Sequence, residues 1–228
     1  MNSDCFASRV ELTFQLKSEI LLMKYILPLL FISFLPLVTV ANEASKLIAD
    51  NYGIANWDKV ESITYTFNVK SPRNEFGRAW TWYPGEDKVT SHKDDMTYTR
   101  GEGMDEAIDK AFINDVFWLL FPFQIVWDPT LTFEEERNVK DPISGEPVQK
   151  LRVIYNDKDG YTPGDIYELF YDENYNITAW KFLRGGEGEG RATAFKDNQV
   201  FNSITICTDH RNAEGGGLWF SDIEVKMK

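Results

Sequence analysis

Two histidines and two cysteines are all that this 228-residue sequence offers for metal or thiol chemistry. His92 sits in His92-Lys-Asp-Asp95 and His210 in Asp209-His-Arg211, both of turn-like composition. A metal site would need the two to meet beside a carboxylate; each alone reads as a solvated turn residue. Cys207 lies in Ser203-Ile-Thr-Ile-Cys-Thr208, in phase with Ser203 and Thr205 and opposite Ile204 and Ile206. A thiol nucleophile wants a histidine within hydrogen-bond reach. His210 falls beyond the expected strand end, so Cys207 reads as a strand residue. The string Asp157-Lys-Asp-Gly-Tyr-Thr-Pro-Gly-Asp165 spaces carboxylates as a calcium loop does, but Tyr161 stands where a further ligand belongs. Glu168, twelfth from Asp157, falls on an apparent strand, which favours an Asp-rich turn. Gly185-Gly-Glu-Gly-Glu-Gly190 carries carboxylates that would repel phosphate, and no Lys-Ser or Lys-Thr follows it. There is no Gly-x-Ser-x-Gly. Glu134-Glu-Glu136 and Arg152, Arg184 and Arg191 suit cross-strand ion pairs. No catalytic residue, metal ligand or cofactor is assigned. An enzyme stays open and is not favoured.

The elements around these residues are mostly strands. Ser62–Val69 alternates, with Ile63, Tyr65, Phe67 and Val69 on one face. Phe76–Tyr83 puts Trp80 and Trp82 on one side, and Lys88–Ser91 and Met96–Thr99 follow as short strands. A helix is expected from Asp105 to about Leu120, where Ala107, Ile108, Ala111, Phe112, Val116 and Leu119 make one stripe. Asp105 and Glu106 sit favourably at its positive end, and Pro122 is expected to stop it. Its apolar continuation to Trp127 suits either a core helix or a lid over a cavity. Strands resume at Thr132–Glu136, Val148–Tyr155, Asp165–Tyr171, Ile177–Leu183, Arg191–Phe195, Ser203–Thr208 and Leu218–Val225, with Asp197-Asn198 read as a break. A short amphipathic helix from Asn42 to about Tyr52 precedes them all and ends at Gly53.

Lys24, the apolar run Tyr25–Val38 and the small residues Thr39 and Ala41 follow the order of a secretory signal. The run is shorter than the roughly 18–20 apolar residues that cross a membrane as a helix. Residues 23–41 are therefore expected to be a cleaved signal peptide. Residues 1–22 are read as sequence upstream of the true start, and 42–228 as one β-rich domain. That domain would be periplasmic or secreted, with no integral membrane segment in its mature form. Arg9, Lys17 and Lys24 balance Asp4, Glu11 and Glu19, so the domain keeps the whole net charge of −12. Such a charge disfavours nucleic acid as a partner. Cys5 would leave with the signal, so no intramolecular disulfide is expected.

Phe117-Trp-Leu-Leu-Phe-Pro-Phe-Gln-Ile-Val-Trp-Asp-Pro129 and Gly164-Asp-Ile-Tyr-Glu-Leu-Phe-Tyr-Asp172 with Trp180 resemble stretches of a family of exported bacterial proteins of unknown function. The element order resembles the periplasmic lipoprotein-carrier fold. The resemblance covers most of residues 45–225. It implies an α+β fold, with a strongly curved antiparallel sheet (an open half-barrel) wrapping a central and an N-terminal helix. It also implies binding of an apolar ligand, a lipid or acyl chain. Seven tryptophans could line such a cavity or fill the core. The candidate lining residues are Trp80, Trp82, Phe117, Trp118, Phe121 and Trp180. The alternative is an envelope interaction or structural module with no open cavity. Oligomeric state is not legible.

Overall fold

The computed structural model describes the backbone of residues 35–101, 104–158, 162–212 and 214–228, with side chains from residue 43 onward. The expected upstream stretch 1–22 lies outside the described residues, and so does the signal segment 23–41 apart from helical backbone from Leu35. Residues 41–228 form one compact unit. No helix among the described residues is long and apolar enough to cross a membrane.

Helix α1 (Leu35–Asn51) buries Ala44, Ile48 and Ala49 at a helical spacing. Gly53 then turns the chain at a left-handed φ of 93°, and a Cβ there would lie 2.2 Å from the carbonyl oxygen of Ser203. The close approach lets Tyr52 O accept from Thr205 N at 2.9 Å, tying the helix end to a strand near the C-terminus. Gly53→Ala is expected to destabilise by more than about 1 kcal/mol, read as a lower urea midpoint with an unchanged slope.

A 3-10 turn (Ile54–Lys59) leads into β1 (Val60–Ser71), β2 (Asn74–Tyr83), β3 (Lys88–Ser91) and β4 (Met96–Thr99). Helix α2 (Glu106–Leu119) follows, its N-terminus capped by Asp105, whose Oδ1 accepts from Ala107 N (2.8 Å) and Ile108 N (3.1 Å). The helix breaks at Leu120, which is non-helical, and α3 (Phe121–Trp127) carries Pro122 in its first turn. Pro122 therefore opens a second helix rather than closing the first, because proline lacks the N–H that an opening turn leaves unpaired anyway.

The remaining strands are β5 (Thr132–Lys140), β6 (Pro147–Ile154), β7 (Ile166–Tyr171), β8 (Ile177–Leu183), β9 (Arg191–Ala194), β10 (Lys196–Phe201), β11 (Ile204–Asp209) and β12 (Gly217–Met227). They pair antiparallel in two open sheets, ordered β10-β11-β12-β1-β2-β3-β4 and β5-β6-β7-β8-β9. The fold is the expected α+β antiparallel type, with its ladder divided in two. The division falls at one residue. Phe195 N still donates to Thr178 O (2.8 Å) in the five-stranded sheet, and the next residue begins β10 of the seven-stranded one. A strand that changes sheets in this way makes a corner. The Phe195 side chain turns into the core against Trp180 and His210.

Both sheets and the three helices among the described residues contribute to one hydrophobic core, including Ile48, Tyr65, Trp80, Phe112, Phe121 and Trp180. A small second cluster of Val148, Phe170 and Ala179 covers another part of the five-stranded sheet.

Candidate functional site

Strand β8 alternates, so Trp180 and Phe182 share a face. Helix α2 lays Trp118 against that face, with the Trp118 and Trp180 ring centroids 4.1 Å apart in an edge-on contact. Space remains on either side of this pair. The first cleft, of about 770 Å³, is lined by Ile113, Phe117 and Tyr167, with Lys110, Asp165 and Arg184 among its polar residues. The second, of about 600 Å³, is lined by Val69, Leu218 and Ile143, with Arg191, Lys196 and Arg211 among its polar residues. Trp118, Trp180 and Phe182 line both. Trp118 is only half-buried and Trp180 is 1% exposed, so the first is a partition and the second a fixed floor. Both volumes fall in the range of small-molecule sites.

A buried carboxylate sets the height of the partition. Asp115, one turn before Trp118, is fully buried. It accepts from Arg78 Nε (2.7 Å) and Nη2 (2.5 Å), from Trp80 Nε1 (2.9 Å) and from Asn114 Nδ2 (3.0 Å). The paired guanidinium and the indole N–H together clamp α2 to β2. At the mouth of the second cleft, Asp141 Oδ1 accepts from Ile143 N and Ser144 N, each at 2.8 Å, in a turn that leaves Ile143 54% exposed.

The six aromatic residues named from sequence separate into two groups. Phe117, Trp118 and Trp180 line the clefts. Phe121 is fully buried behind Trp180, with ring centroids 4.6 Å apart. Trp80 is buried, donates to Asp115 and packs edge-on against Phe112; Trp82 packs against Phe112 and Trp57. Neither lines a cleft described above. Phe182 and Leu218 were not anticipated. Phe182 carried a signal, since it alternates with Trp180.

His210 departs from expectation. It is 2% exposed, not solvated, because its ring is enclosed edge-on by Phe195, Trp118 and Phe220. Its Nδ1 donates to the Ala194 carbonyl at 3.0 Å, which leaves Nε2 a bare acceptor, buried without a partner among the described residues. Cys207 Sγ lies 4.0 Å from Nδ1. Burial pushes the thiol up to about 12 and the imidazole down to about 4. Both groups are neutral at pH 7, opposite to a thiolate–imidazolium pair, and a thiol without thiolate character is a poor nucleophile.

The same burial predicts a pH dependence. His210 is harder to protonate folded (about 4) than unfolded (6.5), so its stabilising contribution is complete above 6.5 and is lost as pH falls towards 4. Stability is expected to drop by about 3 kcal/mol across that window. His210→Phe should flatten the slope there in urea denaturation at several pH values.

Among the described residues no three His, Cys, Asp or Glu side chains group to hold a metal. Residues 159–161 of the calcium-like string lie outside the described residues; its end, Asp165 Oδ1, accepts from Gly185 N at 2.8 Å. Arg152 pairs with Glu134 across β5 and β6 at 2.6 Å.

No family model matches the sequence, and no curated protein does. Two solved structures are among those that the chain is similar to. One is a DUF1329 family protein from Desulfovibrio piger (6% identity, TM-score 0.49, covering 83% of this chain and 93% of that one). The other is a candidate outer membrane lipoprotein-sorting protein domain from Vibrio parahaemolyticus (13% identity, TM-score 0.41, covering 82% and 93%).

Proposed function

We propose that this chain is an exported, non-enzymatic binding or carrier protein for an apolar ligand, a lipid or acyl chain, held beside Trp118. The observation that carries this reading is the pair of open clefts with a common aromatic wall of Trp118, Trp180 and Phe182. A core filled by its aromatics would need no such space. Here a half-buried tryptophan stands between two hollows that an apolar chain can fill, and removing apolar surface from water drives that filling. Export rests on the signal-like run at residues 23–41. An interaction module without a cavity is less well supported, because the large exposed apolar side chains among the described residues, Ile143 in the loop after β5 and Val200 on β10, are far apart in sequence and not joined in one element.

A neutral apolar fluorophore, N-phenyl-1-naphthylamine, tests the reading. Saturable binding is expected, weakened at least about tenfold by Trp118→Gln while the urea midpoint changes little, because an anchor in a desolvated site carries more than one kcal/mol. Absence of saturable binding, or equal binding by the variant, contradicts the proposal.

A further inference from the structure

The two clefts differ in charge. The titratable side chains lining the first are Lys110, Asp165, Tyr167 and Arg184, its charges of mixed sign. Those lining the second are Arg191, Lys196, His210 and Arg211, with no carboxylate among them. This occurs on a chain with 36 acidic against 24 basic residues.

The rim cations are not all equally committed. Arg211 is held by Asp209, with Nε 3.0 Å from Oδ1 and Nη2 3.1 Å from Oδ2, and its guanidinium lies over Trp219. Lys196 reaches the same carboxylate only at 3.8 Å and is half exposed. Arg191 is exposed, and its side chain makes no ion pair or hydrogen bond among the described residues. His210 adds no charge at neutral pH. Asp209 is the carboxylate that pairs with these cations, while Asp141 near Ile143 is occupied by Ile143 N, Ser144 N and Thr178 Oγ1. Three cations therefore leave the rim a positive balance above an apolar floor of Val69, Trp118, Trp180, Phe182 and Leu218.

We infer that the second cleft takes an amphiphile with an acidic head, carboxylate or phosphate, the chain lying on the Trp118–Trp180 floor and the head meeting Arg191 and Lys196. This rests on the binding function proposed above and narrows its ligand. A guanidinium with no competing partner can offer a carboxylate or phosphate two parallel N–H bonds. The repulsion of the net negative chain is screened beyond about 8 Å at physiological salt, so the local rim decides. A neutral chain would gain the floor and nothing from the rim. A cationic one would be repelled there.

Displacement of N-phenyl-1-naphthylamine from the full chain by four twelve-carbon probes tests this: dodecanoate, dodecyl phosphate, dodecanol and dodecyltrimethylammonium, with inorganic phosphate alone as a fifth arm. At least one acidic probe is expected to bind roughly tenfold tighter than dodecanol, and the better of the two identifies the head. The advantage should shrink with added salt, and the double variant Arg191→Gln/Lys196→Gln should bring the acid-to-alcohol ratio to about one. Equal affinities for acid and alcohol, a ratio unmoved in the double variant, or displacement by inorganic phosphate alone overturns the inference. If dodecanol binds and the acids gain nothing, the acidic head is wrong and the apolar site stands. If no probe and no fluorophore binds, the site itself is wrong.

Discussion

Alanine at Asp115 is expected to lower stability by about 3–5 kcal/mol, the usual cost of breaking one side of a buried ion pair. The carboxylate is fully buried and accepts four hydrogen bonds, from Arg78 twice and from Trp80 and Asn114. Its removal leaves a largely buried guanidinium without its counter-charge and a buried indole N–H without an acceptor. Arg78 also stacks over Phe67 and Phe76, so it cannot swing freely to water. Asp115→Asn keeps the shape and one acceptor oxygen and should cost less than the alanine. Urea denaturation of both variants checks the order. A loss below about 1 kcal/mol for Asp115→Ala would mean that the cluster is solvated in solution and does not clamp α2 to β2.

Truncating Trp180 to alanine should be of similar size, about 3–5 kcal/mol, with a consequence that Asp115 lacks. Trp180 is 1% exposed, and its ring meets Trp118, Phe121, Tyr167 and Phe195 at centroid distances of 4.1, 4.6, 5.1 and 5.6 Å. The residue that closes the core is also the common floor of both clefts. Trp180→Ala should therefore lose stability and fluorophore binding together, whereas Trp118→Gln should lose binding with little stability. Trp180→Phe, which leaves a smaller void, should fall between wild type and alanine in urea midpoint. If Trp180→Ala bound the fluorophore normally while folded, the ligand would lie elsewhere.

Much of this arrangement was legible in the sequence because it depends on local periodicity. Lys88–Ser91, Met96–Thr99 and Ile177–Leu183 stand where alternation placed them, and the apolar stripe of α2 fixes its buried face. β10 was not legible. Lys196-Asp-Asn-Gln-Val-Phe201 has no alternation to read, since its first five side chains are all exposed, and the strand exists through pairing with β11. The division into two sheets depends on Phe195 turning inward, a tertiary event. For the same reason strand period could not separate Trp80 from Trp180. Both are 1% exposed on alternating strands, but one meets an acidic residue of α2 and the other the edge of two clefts. His210 misled in the opposite direction. Turn-like neighbours suggested water around a side chain that three aromatic rings enclose.

Native mass spectrometry of the full chain, incubated with dodecanoate or dodecyl phosphate and compared side by side with Trp118→Gln, tests the central claim most directly. The account predicts a saturable added mass equal to the amphiphile on the wild-type protein, and its loss or marked weakening in the folded variant. An unliganded mass for the wild type throughout the titration, or the same occupancy in both proteins, would contradict an apolar binding site at Trp118.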